Sequence, residues 1–113
     1  MDLACTNCKT LLGNERNIES RRFRGHLGKA ILITDVVGVK EGELLERNLT
    51  TGRHIVRDIS CRGCNEVVGW TYVMADEPSE KYKLGKFILE DELLQKVEPS
   101  REKNDPTPSL SKL

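Results

Sequence analysis

Aromatic residues are scarce in this 113-residue chain: one Trp, two Tyr and two Phe, 4% of the sequence, so its core must come mainly from Leu, Ile and Val. Net charge is lacking too. Eighteen basic side chains balance 18 acidic ones, which leaves no overall field to hold a generic polyanion, so nucleic acid is not the expected partner; a nucleic-acid-binding protein stays as an alternative carried only by the Arg21-Arg22-Phe23-Arg24 patch. No apolar run approaches the ~18–20 residues of a membrane helix, so no membrane association is expected. Spare cysteine is absent: all four fall in two pairs, Cys5 with Cys8 and Cys61 with Cys64. If one site uses those four, chemistry that needs a free thiol is excluded. The length admits one domain with a modest core.

What is present centres on those pairs. After Cys8 the chain reads Lys9-Thr10-Leu11-Leu12-Gly13, and after Cys64 it reads Asn65-Glu66-Val67-Val68-Gly69. Both fit C-x-x-C-x-x-apolar-apolar-G, repeated at an interval of 56 residues. Two thiolates two residues apart suit a tight turn, and two such turns make the tetrahedral sulfur site that zinc prefers. The 52 residues between Cys8 and Cys61 far exceed the ~15–20 of a short zinc ribbon, so the metal would clamp distant parts of one domain. Two disulfides are the competing reading. Met1-Asp2-Leu3-Ala4 is too short and too polar for a secretion signal, which favours a reducing compartment in the cytoplasm or nucleus. Redox use of a C-x-x-C would need a β-α-β setting, whereas these flanks read as hairpins. One structural zinc is expected. Four thiolates leave no open coordination position for catalysis.

Along the chain, Leu3 to Gly13 reads as a hairpin and Asn14 to Ser20 as a polar loop. Arg21-Arg22-Phe23-Arg24-Gly25-His26 is a basic patch, read first as an exposed strand edge and second as an anion or partner contact. Ala30 to Ile33 and Val36 to Val39 are the core-strand candidates, apolar enough for burial on both faces. A turn is expected at Glu41-Gly42, a half-exposed strand over 43–49, and a turn at Thr50-Thr51-Gly52. On the strand leading into the second pair, Ile55 and Ile59 share a face with Arg57 between them. Trp70 and Tyr72 lie two apart on the outgoing strand and project to one side. A final strand is expected over 81–89. Leu89, Leu93, Leu94 and Val97 fall at helical spacing, which suggests a short C-terminal helix. Residues 98–113, with three prolines among polar residues, read as a disordered tail after a domain spanning 1–97.

These residues resemble the Yippee-like family. Its zinc signature, C-x2-C-x52-C-x2-C, is met in full by Cys5, Cys8, Cys61 and Cys64. Thr51-Gly52-Arg53-His54, Asp58-Ile59-Ser60-Cys61, Gly69-Trp70-Thr71-Tyr72 and the run from Lys81 to Glu90 match further family motifs. The segment Gly28-Lys29-Ala30-Ile31-Leu32-Ile33 departs from the family, with isoleucine for aromatics and lysine for arginine. The stretch from Thr51 to Cys61 looks most like the subgroup reading T-G-R-H-x-V-R-D-x-S-C. The resemblance implies a mainly β fold of the β-tent group, shared with the cereblon ligand-binding domain, Mis18 proteins and methionine sulfoxide reductase B. In that fold two antiparallel sheets meet at an angle and zinc pins them.

The resemblance also frames function. Reductase chemistry needs a cysteine beyond the zinc ligands, and none exists, so no enzymatic activity is expected. The subgroup is associated with the CTLH/GID ubiquitin ligase, which implies an accessory or modulating subunit with protein partners. Arg53, Arg57 and Arg62 could meet such a partner or be solvated surface charge. His54, four residues from Asp58, reads first as a hydrogen-bonded sheet residue and second, with Arg53 and Arg57, as a ligand or partner contact. In the cereblon-type relative an aromatic cage receives a compact ring. Trp70 with Tyr72 could supply one wall here, and Tyr82 or Phe87 another, to receive a small ligand or modified peptide. A single Trp excludes a three-tryptophan cage. Core packing is the competing reading of Trp70.

Overall fold

Two antiparallel sheets share the strands of this protein in the computed structural model, which describes residues 1–99. The smaller sheet places β1 (Asp2–Cys5) between β2 (Leu11–Asn14) and β9 (Leu94–Val97). In the larger, the spatial order is β3 (Ile18–Arg24), β4 (Lys29–Ile33), β8 (Phe87–Glu90), β7 (Val67–Ala75), β6 (Gly52–Cys61) and β5 (Val39–Leu49). The expected mainly β, two-sheet architecture is what the chain adopts.

The middle of the large sheet is buried on both faces, while its edge strands β3 and β5 are largely exposed. On β4, Ile31 and Ile33 join Leu3, Leu12, Ile59, Val68 and Leu89 in one core, beside the cysteines. Ala30 and Leu32 point the other way, into a second core with Val56, Trp70, Tyr72 and Ile88. This is why 30–33 is apolar without alternation: a central strand has no solvent face. Each fully buried Leu or Ile contributes about 1.5–3 kcal/mol.

The sequence repeat has a backbone counterpart. Leu3 pairs with Gly13 but Ala4 with Leu11, so Leu12 is an extra residue on β2. Ile59 pairs with Gly69 but Ser60 with Val67, so Val68 is an extra residue on β7. Each hairpin therefore carries a bulge at the same place. The bulge turns the second apolar residue fully inward while the first stays outside: Leu12 and Val68 are 0% exposed, Leu11 39% and Val67 49%. The glycine that follows has a packing reason at Gly69, where an added side chain would run into the Ile88 carbonyl of β8.

Several local expectations are corrected. No helix forms over 89–97: a 3-10 turn at Asp91–Leu93 leads into β9, which pairs with β1 from Asp2–Val97 to Cys5–Leu94. Isolated helices under ~12 residues are marginal in water, and here the open edge of β1 offers a ladder instead. The segment Val36–Gly38 is no strand. It stitches the hairpins together, Val37 N–H donating to Leu12 (2.8 Å) and Gly38 accepting from Arg62 N–H (2.8 Å). Gly38 holds φ 67°, with the Leu11 carbonyl where a side chain would lie. The expected turn at Glu41-Gly42 is a bulge within β5. The polar stretch 14–20 is a 3-10 turn (Glu15–Asn17) followed by the start of β3, and 81–83 belongs to a 3-10 turn (Pro78–Lys83) ahead of β8. The tail expected over 98–113 lies, from residue 100 on, outside the described residues.

Candidate metal centre and the cleft on the other face

Each cysteine pair sits on a knuckle built the same way. In the first, Cys5 N–H donates to the Thr10 carbonyl (2.9 Å) and Lys9 N–H to the Cys5 carbonyl (2.8 Å). In the second, Cys61 N–H donates to the Glu66 carbonyl (2.8 Å) and Asn65 N–H to the Cys61 carbonyl (2.7 Å). Lys9 and Asn65, each following the second cysteine, hold the left-handed backbone at φ 69° and 66°. Such a turn points both sulfurs and several N–H groups at one spot.

The knuckles meet sulfur to sulfur. Cys5 Sγ lies 3.8 Å from Cys64 Sγ, Cys8 Sγ lies 3.4 Å from Cys61 Sγ, and all four sulfurs fall within 4.8 Å of one another. A tetrahedron with zinc–sulfur arms of about 2.3 Å has edges of about 3.8 Å, so the donor set fits one zinc ion. Cys5 and Cys61 are buried, Cys8 and Cys64 half-buried. The second sphere is built too. The Thr10 hydroxyl lies 3.1 Å from Cys8 Sγ and, with the Thr10 backbone, pulls that thiol below its ordinary value. Burial pushes the Cys5 thiol up to about 11 when no metal is present. A metal ion reverses that preference by binding the thiolate.

The other face of the large sheet carries a cleft of about 540 Å³. Trp70 and Tyr72 form part of its floor with their rings edge to face, 6.4 Å between centroids. Trp70 is 5% exposed and packs in the second core, as the packing reading expects, and its edge also lines the cleft. Tyr82 stands at the rim, 51% exposed. Phe87 is not on this wall; it packs against the zinc-side core. Burial raises the Tyr72 hydroxyl above its ordinary value, and the nearby indole pulls the other way. That approach is not a well-formed hydrogen bond, and Trp70 Nε1 is left without a partner. Sequence reasoning placed Phe23 only in the basic patch of residues 21–26 and missed Lys83. Lys83 is 3% exposed, its ammonium 5.1 Å from the Tyr72 centroid and 5.4 Å from that of Phe23, with Glu80 as its ion-pair partner. Nothing local flags a lysine as buried; only the fold brings the two rings to it.

The strand into the second knuckle is largely occupied with its own sheet. His54 is fully buried, its Nδ1–H donating to the Gly52 carbonyl at 2.9 Å, as the sheet reading expected. Asp58 takes Arg47 at 2.9 Å, and that guanidinium lies 5.6 Å over Trp70. Arg53 bridges Glu46 (3.1 Å) and Asp76 (3.0 Å). Arg57 donates to the Gly42 carbonyl at 2.7 Å and Arg62 to that of Val39 at 3.1 Å.

Comparison with known proteins agrees with this architecture. A family model described as "Yippee zinc-binding/DNA-binding /Mis18, centromere assembly" matches residues 1–109. A yippee-like protein of Arabidopsis thaliana is 46% identical over 77% of this chain and 82% of its own. The Drosophila melanogaster protein yippee is 43% identical over 83% and 78%. Human yippee-like protein 3 is 44% identical over 77% and 73%. Among solved structures, the crystal structure of the Mis18 "Yippee-like" domain superposes with a TM-score of 0.69 at 17% identity, covering 88% of this chain and 96% of that one. With its paired knuckles, its four converging sulfurs and these relatives, the chain belongs to the Yippee/Mis18 family of zinc-binding domains.

Proposed function

We propose that this chain is a zinc-stabilised interaction domain with no transfer chemistry of its own, acting as an accessory subunit or modulator of a CTLH/GID-type ubiquitin ligase in the cytoplasm or nucleus. The observation that carries the non-enzymatic part is the convergence of all four cysteines on one site, which leaves no thiol for nucleophilic or redox work. The ligase part is supported by the resemblance of Thr51 to Cys61 to the subgroup tied to that assembly. Within that stretch Arg53 and Arg57 are already engaged in the sheet, so partner contacts are better sought elsewhere. Affinity purification of the tagged, zinc-loaded chain should recover subunits of the RING assembly. Recovery of none from cells in which the chain is folded contradicts the ligase role.

The cleft favours a second reading, a module that binds a small ligand or modified peptide beside Trp70. Trp70 is the chain's one tryptophan and reports directly: its emission should shift on binding, and a ligand screen that never moves it counts against this reading. The matching family description also names DNA binding. The charge balance speaks against that role here, and salt-sensitive retention on DNA at physiological ionic strength would restore it.

A further inference from the structure

The aromatic faces of the cleft are already in use. Lys83 stands over Tyr72 and Phe23, Arg47 over Trp70, and Lys86 lies 5.7 Å from the Tyr82 centroid. The His26 ring lies 5.4 Å from that of Trp70. A visiting cation would compete with the chain's own cations for the same ring faces and would meet Arg22 and Arg24 at the rim. A nucleobase or other flat ring finds no open face on the floor, where Trp70 and Tyr72 are 5% and 3% exposed; only Tyr82 at the rim is open.

What the region lacks is negative charge. Arg22, Arg24 and Lys29 are exposed, and none has an ion-pair partner among the described residues. Arg22, Phe23 and Arg24 line the main cleft and also a second one of about 340 Å³, which Lys29 helps to complete. Because they share Arg22, Phe23 and Arg24, the two clefts adjoin along β3, and their cations make a track there. Their acids are few: Glu80 is taken by Lys83, Asp91 lines the second cleft, and the buried Glu90 carboxylate at the β3–β4 turn is spent on backbone N–H groups. The track is also held in place. Glu90, 3% exposed, accepts from the N–H groups of His26 (2.8 Å) and Leu27 (3.2 Å), fixing the β3–β4 turn at the rim. The backbone of that turn is thereby ordered before anything binds, which lowers the cost of binding.

We infer that this track docks an extended acidic peptide segment, with Arg22, Arg24 and Lys29 meeting its carboxylates and Phe23 packing against its apolar atoms. The inference rests on the reading of the chain as an interaction domain and names the chemistry of what it takes. Strand addition is not the mode. β3 is an edge strand, but its register breaks between Ile18 and Ser20 and again between Ser20 and Phe23, and Arg22 N–H is taken by Ser20 Oγ (3.2 Å). Side chains, rather than a backbone ladder, read the peptide.

The test uses the zinc-loaded full chain and three fluorescein-labelled probes: a Glu/Asp-rich peptide, its Gln/Asn counterpart and a single-stranded oligonucleotide. Anisotropy should show the acidic peptide bound most tightly, with affinity falling as salt rises. Arg22→Gln with Arg24→Gln should weaken it by about tenfold or more, while Arg22→Lys with Arg24→Lys retains most of it. Both double variants are at exposed positions, and unchanged circular dichroism and zinc content show that they fold. Equal binding of acidic and neutral peptides, indifference to the Gln variants, or preference for the oligonucleotide overturns the inference. Co-purification separates it from the broader reading. Ligase subunits recovered with a chain that ignores acidic peptides would overturn this inference alone; acidic-peptide binding without ligase recovery would support it and count against the ligase role.

Discussion

Thr10 and Gly63 show how little room the metal centre has. The Thr10 hydroxyl is the polar group nearest Cys8 Sγ, and a side chain at Gly63 would collide with it and come within 2.7 Å of that sulfur. Thr10→Val keeps the shape and removes the donor. It should leave the fold intact and lower zinc affinity about 10–100-fold, as loss of an outer-shell partner typically does, measured by competition with a chromogenic chelator. Gly63→Ala should be worse, because the knuckle itself must move; zinc affinity no poorer than in Thr10→Val would contradict the packing described here. At the cleft, Trp70→Ala should destabilise by about 3–5 kcal/mol, since the indole is core as well as floor. That variant does not separate packing from binding, whereas Trp70→Phe keeps an aromatic ring in the core and removes the unpartnered indole N–H with part of the ring volume. A Trp70→Ala chain melting like the wild type would argue that the ring is not core.

Among the elements, the small sheet depends on charge at its margin. Glu15, in the turn after β2, accepts from the Met1 amino group (3.3 Å), Lys96 on β9 (2.9 Å) and Arg21 (3.3 Å). Lys96 and the N-terminal amine hold its carboxyl below the ordinary glutamate value. A carboxyl depressed in the folded state contributes stability above its unfolded value, and that contribution is lost as pH falls through the depressed one. Glu15→Gln should therefore flatten the decline in urea midpoint on the acid side of about pH 4.5, and an unchanged slope would show the cluster to be inert. The same sheet shows what one-dimensional pattern reading reaches. Leu89, Leu93, Leu94 and Val97 carry helical spacing, yet Leu94 to Val97 form a strand because β1 offers an open edge, and that edge is a tertiary fact. Val36 and Val37 look like core strand but work as a stitch between knuckles, since Gly38 needs φ 67° and the Leu11 carbonyl blocks any side chain there. The zinc ligands were legible because a closed tetrahedral zinc site takes four sulfurs and the chain has four cysteines, in two C-x-x-C pairs. The pairing of Trp70 with Tyr72 was legible because strand residues two apart share a face. Lys83 and Phe23 were not, because they lie 60 positions apart in sequence and only the sheet order brings them together.

At the scale of the whole molecule, the two knuckles come from hairpins in different sheets, so the metal joins sheet to sheet. Structural zinc can supply ~10–16 kcal/mol of apparent free energy in small peptides, against a net domain stability of ~5–15 kcal/mol. Stripping the metal should unfold much of the chain, seen as loss of β-sheet circular dichroism; an unchanged spectrum after complete, verified extraction contradicts this. The molecule thus divides its labour between the faces of one sheet. One face carries the closed metal scaffold, and the other carries the cleft with its uncompensated basic rim. That division stands on the metal site being closed. X-ray absorption at the zinc edge tests it most directly: one zinc per chain surrounded by four sulfurs at about 2.3 Å, with no nitrogen or oxygen neighbour, is the predicted result. A bound water, a histidine nitrogen or fewer than four sulfurs would contradict it, because a coordination position or a thiol would then be open for chemistry.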